Sequence, residues 1–461
     1  MNTLRQLSPT DVLFLAAETE CVYNHVGGLV LLARNKGKAV SYSQFRRYMQ
    51  PRLDLIPQMN WKLHQVPLGL DLPYWVEDEQ FNYDRHIRRI AVPSPGDKKA
   101  LVELAAYLFS RPLDHRRPLW EVWFIEGLKG GNVAMLHKLH HCLMDGQGAA
   151  RLADVMFDSS SKAGPAVLDE SIAALPRVRA PHAWEQRTRA ALKYARLPGD
   201  TTATAAELFR EKISSMLRKP KKKADPAPPL AIASFNAELG RDRGFVYGSL
   251  PMADLKQVAA GNKVSINDVV MALIGGSLRR YLRERKSLPR ESLRAMMAVS
   301  LRASGDESMS NQVTNASVTL GTSNRSPLAR LKAIHKETRQ AKERARSGSK
   351  GAMEIFEMMP PALIATINAL VNAEQTVQLL GANLVVSNMR GSEKAQYLAG
   401  AKVKGTYPLS VLSNGITLNV TCISYMGSMD FGVVLDPDLF PEPWSLIEGL
   451  RLELDEYLSV L

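Results

Sequence analysis

Cysteine is scarce. Three occur in 461 residues, at Cys21, Cys142 and Cys422, with no ligand-like spacing. Such a set excludes a disulfide framework and a zinc-finger module. Long hydrophobic runs are also missing. The longest, Met358 to Val371, carries Pro360, Pro361 and Asn368 and falls short of the roughly 18 apolar residues that span a bilayer. The run Val12 to Ala17 is too short for a signal-peptide core, and Glu18 and Glu20 follow at once. A cytoplasmic protein is expected, attached at most to a membrane surface. Acidic residues are outnumbered, 46 against 59 basic ones, for a net charge of +13. That balance points to anionic partners: nucleic acid, an anionic membrane or a phosphorylated ligand. Aromatics make up only 7% and no recognition motif occurs, so nucleic-acid binding is not expected.

What is present is ordinary for a globular chain. Hydrophobic residues are 45% and charged residues 23%, which excludes wholesale disorder and collagen-like or coiled-coil architectures. The length predicts two domains or one two-lobed unit. Residues 1–158 read as mixed α/β. Strands are expected at Gly27 to Ala33, Leu119 to Phe124 and Asn132 to Cys142, and helices at Leu101 to Phe109 and Gly146 to Phe157. Residues 159–240 read as a crossover linker. Trp184 to Arg218 is mostly helical in propensity, and the basic run Met216 to Lys223 leads into a Pro-rich stretch. Residues 241–461 read as α/β again. Helices are expected at Ser265 to Arg285 (with Ser265 as N-cap), Pro327 to Arg346 and Glu442 to Leu461. Strands are expected at Phe245 to Leu250, Arg294 to Leu301, Val313 to Leu320, Leu384 to Asn388, Ile416 to Tyr425 and Met429 to Val434.

The segment MLHKLHHCLMDGQG, residues 135–148, is the most informative. Strand alternation places Met135, His137, Leu139 and His141 on one face and Lys138 and His140 on the other. The strand should end near Cys142, and Asp145-Gly146 should turn the chain into a helix. From these residues several readings stay open. The histidines could simply pack and hydrogen-bond. His141 could serve as a general base where a cleft reaches the strand end. His137, His140, His141 and Asp145 could hold a metal, although alternation splits the adjacent histidines. Cys142 could be a nucleophile beside a histidine.

His140-His141-Cys142-Leu143-Met144-Asp145-Gly146 resembles HHxxxDG, the signature of the CoA-dependent acyltransferase superfamily. More of the chain is similar to one branch, the bacterial wax ester synthase/diacylglycerol acyltransferases. Residues 7–15 (LSPTDVLFL), His25-Val26-Gly27, Trp75 to Asp78 and 81–96 (FNYDRHIRRIAVPSPG) carry the likeness. Pro118 to Glu121, Asn267-Asp268, 299–302 (VSLR), Ser387-Asn388 and 418–427 (LNVTCISYMG) continue it. The order and spacing match from end to end apart from the linker. The chain departs from the family at 387–392, where SNMRGS stands for the usual SNVPGP. Met429 to Gly432 shares the DFG portion of the plant enzymes' DFGWG motif, a short match expected to be structural.

The resemblance implies a two-lobed α/β fold of the chloramphenicol-acetyltransferase type, with mixed sheets and a tunnel between lobes. It implies direct O-acyl transfer from fatty acyl-CoA to a long-chain alcohol, giving wax ester, or to diacylglycerol. His141 is then the base, His140 supports the loop and Asp145 orients it by pairing with an arginine. Asn267, then Asn388, are candidate oxyanion donors; the plain alternative for Asn267 is a helix cap. Gly146, Ser387 and Asn388 are expected at the substrate. No metal or cofactor is expected, because acyl-CoA is itself a substrate. Gly351 to Val371 suits an apolar channel or a core helix. The basic run suits an anionic membrane or lipid-inclusion surface, and its plain alternative is a solvated linker. Two other functions remain: an HHxxxDG enzyme with another acceptor or a carrier-bound donor, and an inactive lipid-surface protein.

Overall fold

The computed structural model describes residues 4–35, 37–67, 71–143, 152–162, 164, 178–182, 184–186, 188–189, 230–300, 313–347 and 370–461. Asp145, Gly146, the basic run at 216–223 and nearly all of 351–371 lie outside these residues.

In the first part of the chain β1 (Arg5–Gln6) leads into α1 (Pro9–Ala16), which Ser8 caps through reciprocal bonds with Asp11. There follow β2 (His25–Leu32), α2 (Tyr42–Leu53), β3 (Trp61–His64), β4 (Tyr74–Glu77) and β5 (Ile87–Ala91). Then come α3 (Lys98–Phe109), β6 (Trp120–Glu126) and β7 (Val133–His140). Residues 152–156 are helical, as are 184–186 and 188–189. The second part begins with β8 (Gly244–Pro251), α4 (Met252–Asn262), α5 (Ile266–Glu284), β9 (Arg294–Ser300) and β10 (Val313–Thr319). It continues with α6 (Pro327–Ser347), α7 (Ala373–Leu380), β11 (Leu384–Met389), β12 (Tyr397–Leu398) and β13 (Ala401–Leu409). It closes with β14 (Leu418–Tyr425), β15 (Ser428–Leu435) and α8 (Trp444–Ser459). The longer elements read from periodicity are found within a few residues of their expected ends. Ser265 caps α5 in a capping box with Asp268. Residues 268–278 of α5 are buried on every side, which suits a helix apolar all round its first turns.

Two six-stranded mixed sheets form the frame. One runs β10-β9-β11-β14-β15-β8 and the other β12-β13-β2-β7-β6-β5; a small sheet, β1-β4-β3, flanks the latter. The second sheet is built across the whole chain. β13, from the late sequence, pairs antiparallel with β2, with Thr406 opposite Val30 and Tyr407 opposite Leu29. Over its first half burial alternates, with Ala401, Val403 and Gly405 buried and Lys402 and Lys404 exposed; Tyr407 to Leu409 are buried throughout. This strand was not expected from the sequence; its Pro408 sits near the strand end, where a proline is tolerated.

The DFG-like segment, on β15, clamps this crossover strand. Buried Asp430 accepts hydrogen bonds from Ser249 Oγ (2.7 Å), Ser428 Oγ (2.8 Å) and the Thr406 N–H (3.0 Å). Burial nevertheless pushes its carboxyl above the ordinary value. Tyr407 adds a hydroxyl contact to Ser249 (3.1 Å) and packs its ring 4.1 Å from that of Tyr247. Gly432 lies directly against the backbone of Pro408. The segment is structural, as expected.

Candidate active site

β7 runs between β2 and β6. His137 stands opposite Gly28 and Val122, Leu139 opposite Val26 and Trp120, and His140 opposite His25. The expected alternation is realised. Val133, Met135 and Leu139 join the apolar core with Val12 of α1 and Phe45 and Met49 of α2. Lys138 and His140 face the other way. Lys138 Nζ donates to the carbonyls of Leu108 (3.2 Å) and Arg111 (2.6 Å) at the end of α3 and lies 3.5 Å from Glu121. Burial lowers its pKa, while Glu121 and the helix-end carbonyls favour the cation. His25 Nε2 bonds the Phe109 carbonyl at 2.7 Å. Trp120, fully buried, donates Nε1–H to the Met59 carbonyl (2.7 Å) and stacks on His86. It is a packing residue.

His140 is buried completely. Its Nδ1 accepts from the Cys142 N–H (3.1 Å) and faces the Cys142 thiol at 2.9 Å, which assigns the ring proton to Nε2. Nε2 lies 3.1 Å from Glu18 Oε1, off the line of a good hydrogen bond. Glu18 also meets His115 Nε2 (2.8 Å) and accepts the Asn24 N–H (2.8 Å). Glu18, His115 and His140 are the one group among the described residues whose ligand atoms cluster, all within 4.8 Å. With Nε2 carrying the proton, His140 has no lone pair to offer a metal there, so the group reads as a charge and hydrogen-bond network. The set weighed from sequence does not assemble, because His137 and His140 point to opposite faces. Cys142 is buried, and burial pushes its thiol well above the ordinary value, which works against a thiolate nucleophile.

Burial works to raise the pKa of Glu18, but the contacts with His115 and His140 outweigh it and hold the carboxyl well below 4.5. The bond to Glu18 raises His115 above 6.5. The Glu18 contribution to stability is therefore present above about pH 4.5 and lost as pH falls through its lowered value. The His115 contribution is full below about pH 6.5 and lost as pH rises through its raised value. Glu18→Gln should thus lower the melting temperature most between those two values, with a gap that narrows on the alkaline side. Melting curves of both proteins across that range check this; a gap independent of pH would show that the network carries no charge. Neither Glu18 nor His115 was found from sequence, since no spacing ties them to the motif.

His141 follows the strand end. Its N–H donates to the Asn24 carbonyl (2.9 Å), and its ring lies on Phe14 of α1 at 3.9 Å and 15°. Asn24 is itself held by Glu18 and by its Nδ2–H to the Phe14 carbonyl (2.6 Å). The partly exposed imidazole is thus clamped by α1 and by the entry to β2.

Asn267 and Asn388 come together from distant segments. Asn267 is the second residue of α5, so the cap is Ser265 and not Asn267. Asn388 Nδ2 donates to Asn267 Oδ1 at 3.4 Å, and among the described residues Asn267 Nδ2 meets only Met297 Sδ, at 3.9 Å. That leaves an amide donor with little competition at a helix N-terminus. Ser387 lies on β11 opposite Thr421. The described contacts do not join these residues to His141. In the departing loop Arg390 is exposed and pairs with Glu393 (3.2 Å), so it does not enter the site. Gly391 N–H bonds Ser424 Oγ (3.1 Å) and anchors the loop without prolines.

Two six-stranded mixed sheets, one of them completed by a strand from the late sequence, with a histidine pair at the end of a central strand, make a two-lobed α/β fold. The starter condensation domain of rhizomide synthetase, solved with C8-CoA, shares this fold at a TM-score of 0.56 and 14% identity over 99% of this chain and 94% of that one. The wax ester synthase/diacylglycerol acyltransferase catalytic domain matches residues 7–270, and the WS/DGAT C-terminal domain matches 309–457. The chain belongs to the wax ester synthase/diacylglycerol acyltransferase family and is an acyltransferase. A Mycobacterium tuberculosis relative whose name proposes diacylglycerol O-acyltransferase activity is 30% identical over 99% of this chain and 97% of its own. The O-acyltransferase WSD of Acinetobacter baylyi is 29% identical over 99% and 98%. The wax ester synthase/diacylglycerol acyltransferase of Marinobacter aquaeolei superposes at a TM-score of 0.72 with 27% identity, covering 98% of both chains.

Proposed function

We propose that the protein transfers a long-chain acyl group from acyl-CoA to a long-chain alcohol, and to diacylglycerol, with His141 as general base. The observation that carries this is the clamped imidazole of His141, held by Phe14 and Asn24 at the end of β7. His141 takes the hydroxyl proton as the alcohol oxygen attacks the thioester carbonyl. The tetrahedral intermediate collapses, the C–S bond breaks, and the proton passes from His141 to the departing CoA sulfur. An alcohol is a poor nucleophile near pH 7, so positioned proton removal matters. The thioester supplies the activation, so the reading needs no cofactor and no acyl-enzyme. The shielded Cys142 thiol agrees with that. Asn267 Nδ2 is the donor proposed for the oxyanion, with Asn388 holding the amide in place.

The names of the Marinobacter and Acinetobacter relatives support a wax or acylglycerol product. No helix among the described residues is long and apolar enough to cross a membrane. The net charge of +13 and the basic run at 216–223 support attachment to an anionic lipid surface on the cytoplasmic side. The test is CoA release from palmitoyl-CoA with hexadecanol, with diacylglycerol and with neither. Release that depends on hexadecanol is expected. Release indifferent to both acceptors would overturn the reading and direct attention to carrier-bound donors.

A further inference from the structure

We propose that His335 is a positioning residue for acyl transfer: through Asp268 it fixes the first turn of α5, and with it the direction of the Asn267 amide. The proposal rests on the reading of Asn267 as the oxyanion donor given above. Asn267 and Asp268 are neighbours in that turn, just after the cap at Ser265.

Asp268 is buried, and its carboxylate is shared between two helices. Within α5 it accepts the Ser265 N–H at 3.0 Å. From α6 it receives the Thr338 hydroxyl at 2.6 Å and His335 Nδ1 at 3.0 Å. Burial works to raise the pKa of Asp268, but the bonds from Thr338, His335 and Ser265 outweigh it and hold the carboxyl below its ordinary value. The carboxylate has no proton to offer near pH 7, so the imidazole of His335 donates from Nδ1.

The capping box shapes the turn without fixing it against the rest of the lobe. A helix start carries unpaired N–H groups and frays readily. The bonds from α6 supply the fixing, and α6 is a firm support. Its Ile334 is buried, and its Glu337 accepts the Thr319 N–H of β10 at 2.9 Å. Asn267 itself has only long contacts among the described residues, to Asn388 at 3.4 Å and Met297 at 3.9 Å. Such contacts leave the direction of its amide to the turn beneath it. An oxyanion donor acts only when aimed where charge develops, so a small tilt of the turn is felt in turnover. Thr338 is buried, whereas the His335 side chain is 42% exposed. His335 can therefore be removed without opening a core cavity, and Thr338 and Ser265 still hold the carboxylate.

The test is hexadecanol-dependent CoA release from palmitoyl-CoA. His335→Ala should lower kcat about five- to twentyfold, a fraction of the loss on removing an oxyanion donor outright. KM for both substrates should stay within about twofold of wild type. His335→Asn should restore most of the rate, because its amide N–H takes the place of Nδ1–H. In an Asn267→Ala background, His335→Ala should lower the rate no further, since both changes act through one donor. A His335→Ala variant at wild-type kcat, a loss confined to KM, or an undiminished further loss in the Asn267→Ala background would overturn the proposal. Asn267→Ala at wild-type turnover would instead overturn the oxyanion reading, and absence of turnover in the wild type the acyl-transfer reading. Hydrogen exchange at the Asp268 and Val269 amides needs no turnover and judges His335 in either case. Exchange about tenfold faster in His335→Ala, and slowed again in His335→Asn, is expected. Exchange unchanged by His335→Ala would overturn its role.

Discussion

His141→Ala is expected to lower hexadecanol-dependent CoA release by about 100- to 10,000-fold, the usual worth of a positioned general base. The loss should fall on kcat, because the imidazole acts on a proton that moves in the transition state. The fold should survive the change. The strand ends at His140, and the His141 N–H bond to Asn24 is made by the main chain and persists in alanine. What disappears is the ring lying on Phe14 at 3.9 Å, a contact at a partly exposed position. Circular dichroism and melting temperature should therefore stay close to wild type while turnover collapses. Release within about tenfold of wild type in a folded variant would move the base away from His141.

Gly432→Ala is expected to destabilise the protein by about 3 kcal/mol or more, beyond the usual cost of overpacking. A Cβ on Gly432 would overlap the Pro408 carbonyl, with the Pro408 carbonyl carbon and nitrogen close behind it. These are backbone atoms, so no rotamer change relieves the clash. Relief requires β13 to lift from β15, which would break the Asp430 bond to the Thr406 N–H and part Tyr407 from Tyr247. The same movement would disturb the pairing of β13 with β2, and β2 carries His25 opposite His140. Acyl transfer should fall together with stability. Urea titration and turnover measure both effects, with Gly164→Ala as a control at a position where a Cβ meets nothing within 4 Å. An unchanged midpoint in Gly432→Ala would show that β13 is not seated on β15.

The parts of the fold that were legible in the sequence are those governed by neighbours along the chain. The alternation in β7, the capping box of α5 and the hairpin of β14 and β15 each follow from local spacing. β13 alternates over its first half but was not read as a strand, and no local feature says that it pairs with β2 from the early sequence. The site divides in the same way. The histidine pair stood out as a motif, and its two faces followed from strand geometry. Glu18 and His115 reach His140 from other elements, and nothing in their spacing announces it. In the departing loop at 387–392, exposed Arg390 pairs with Glu393, a partner that the motif comparison does not show.

The sequence by itself determined the class of chain: mixed α/β, basic, without a disulfide framework or a long apolar span, and with one histidine motif at a strand end. Hydrophobic period and turn chemistry act over a few residues, so they can be read without a partner. Only the tertiary structure decided which strand completes the sheet beside β2, what holds His140 and His141, and that Asn267 meets Asn388. Those outcomes depend on backbone hydrogen bonds and close packing between distant segments. Backbone groups are alike in every residue but proline, so the choice among edges is made by the packing of the whole molecule.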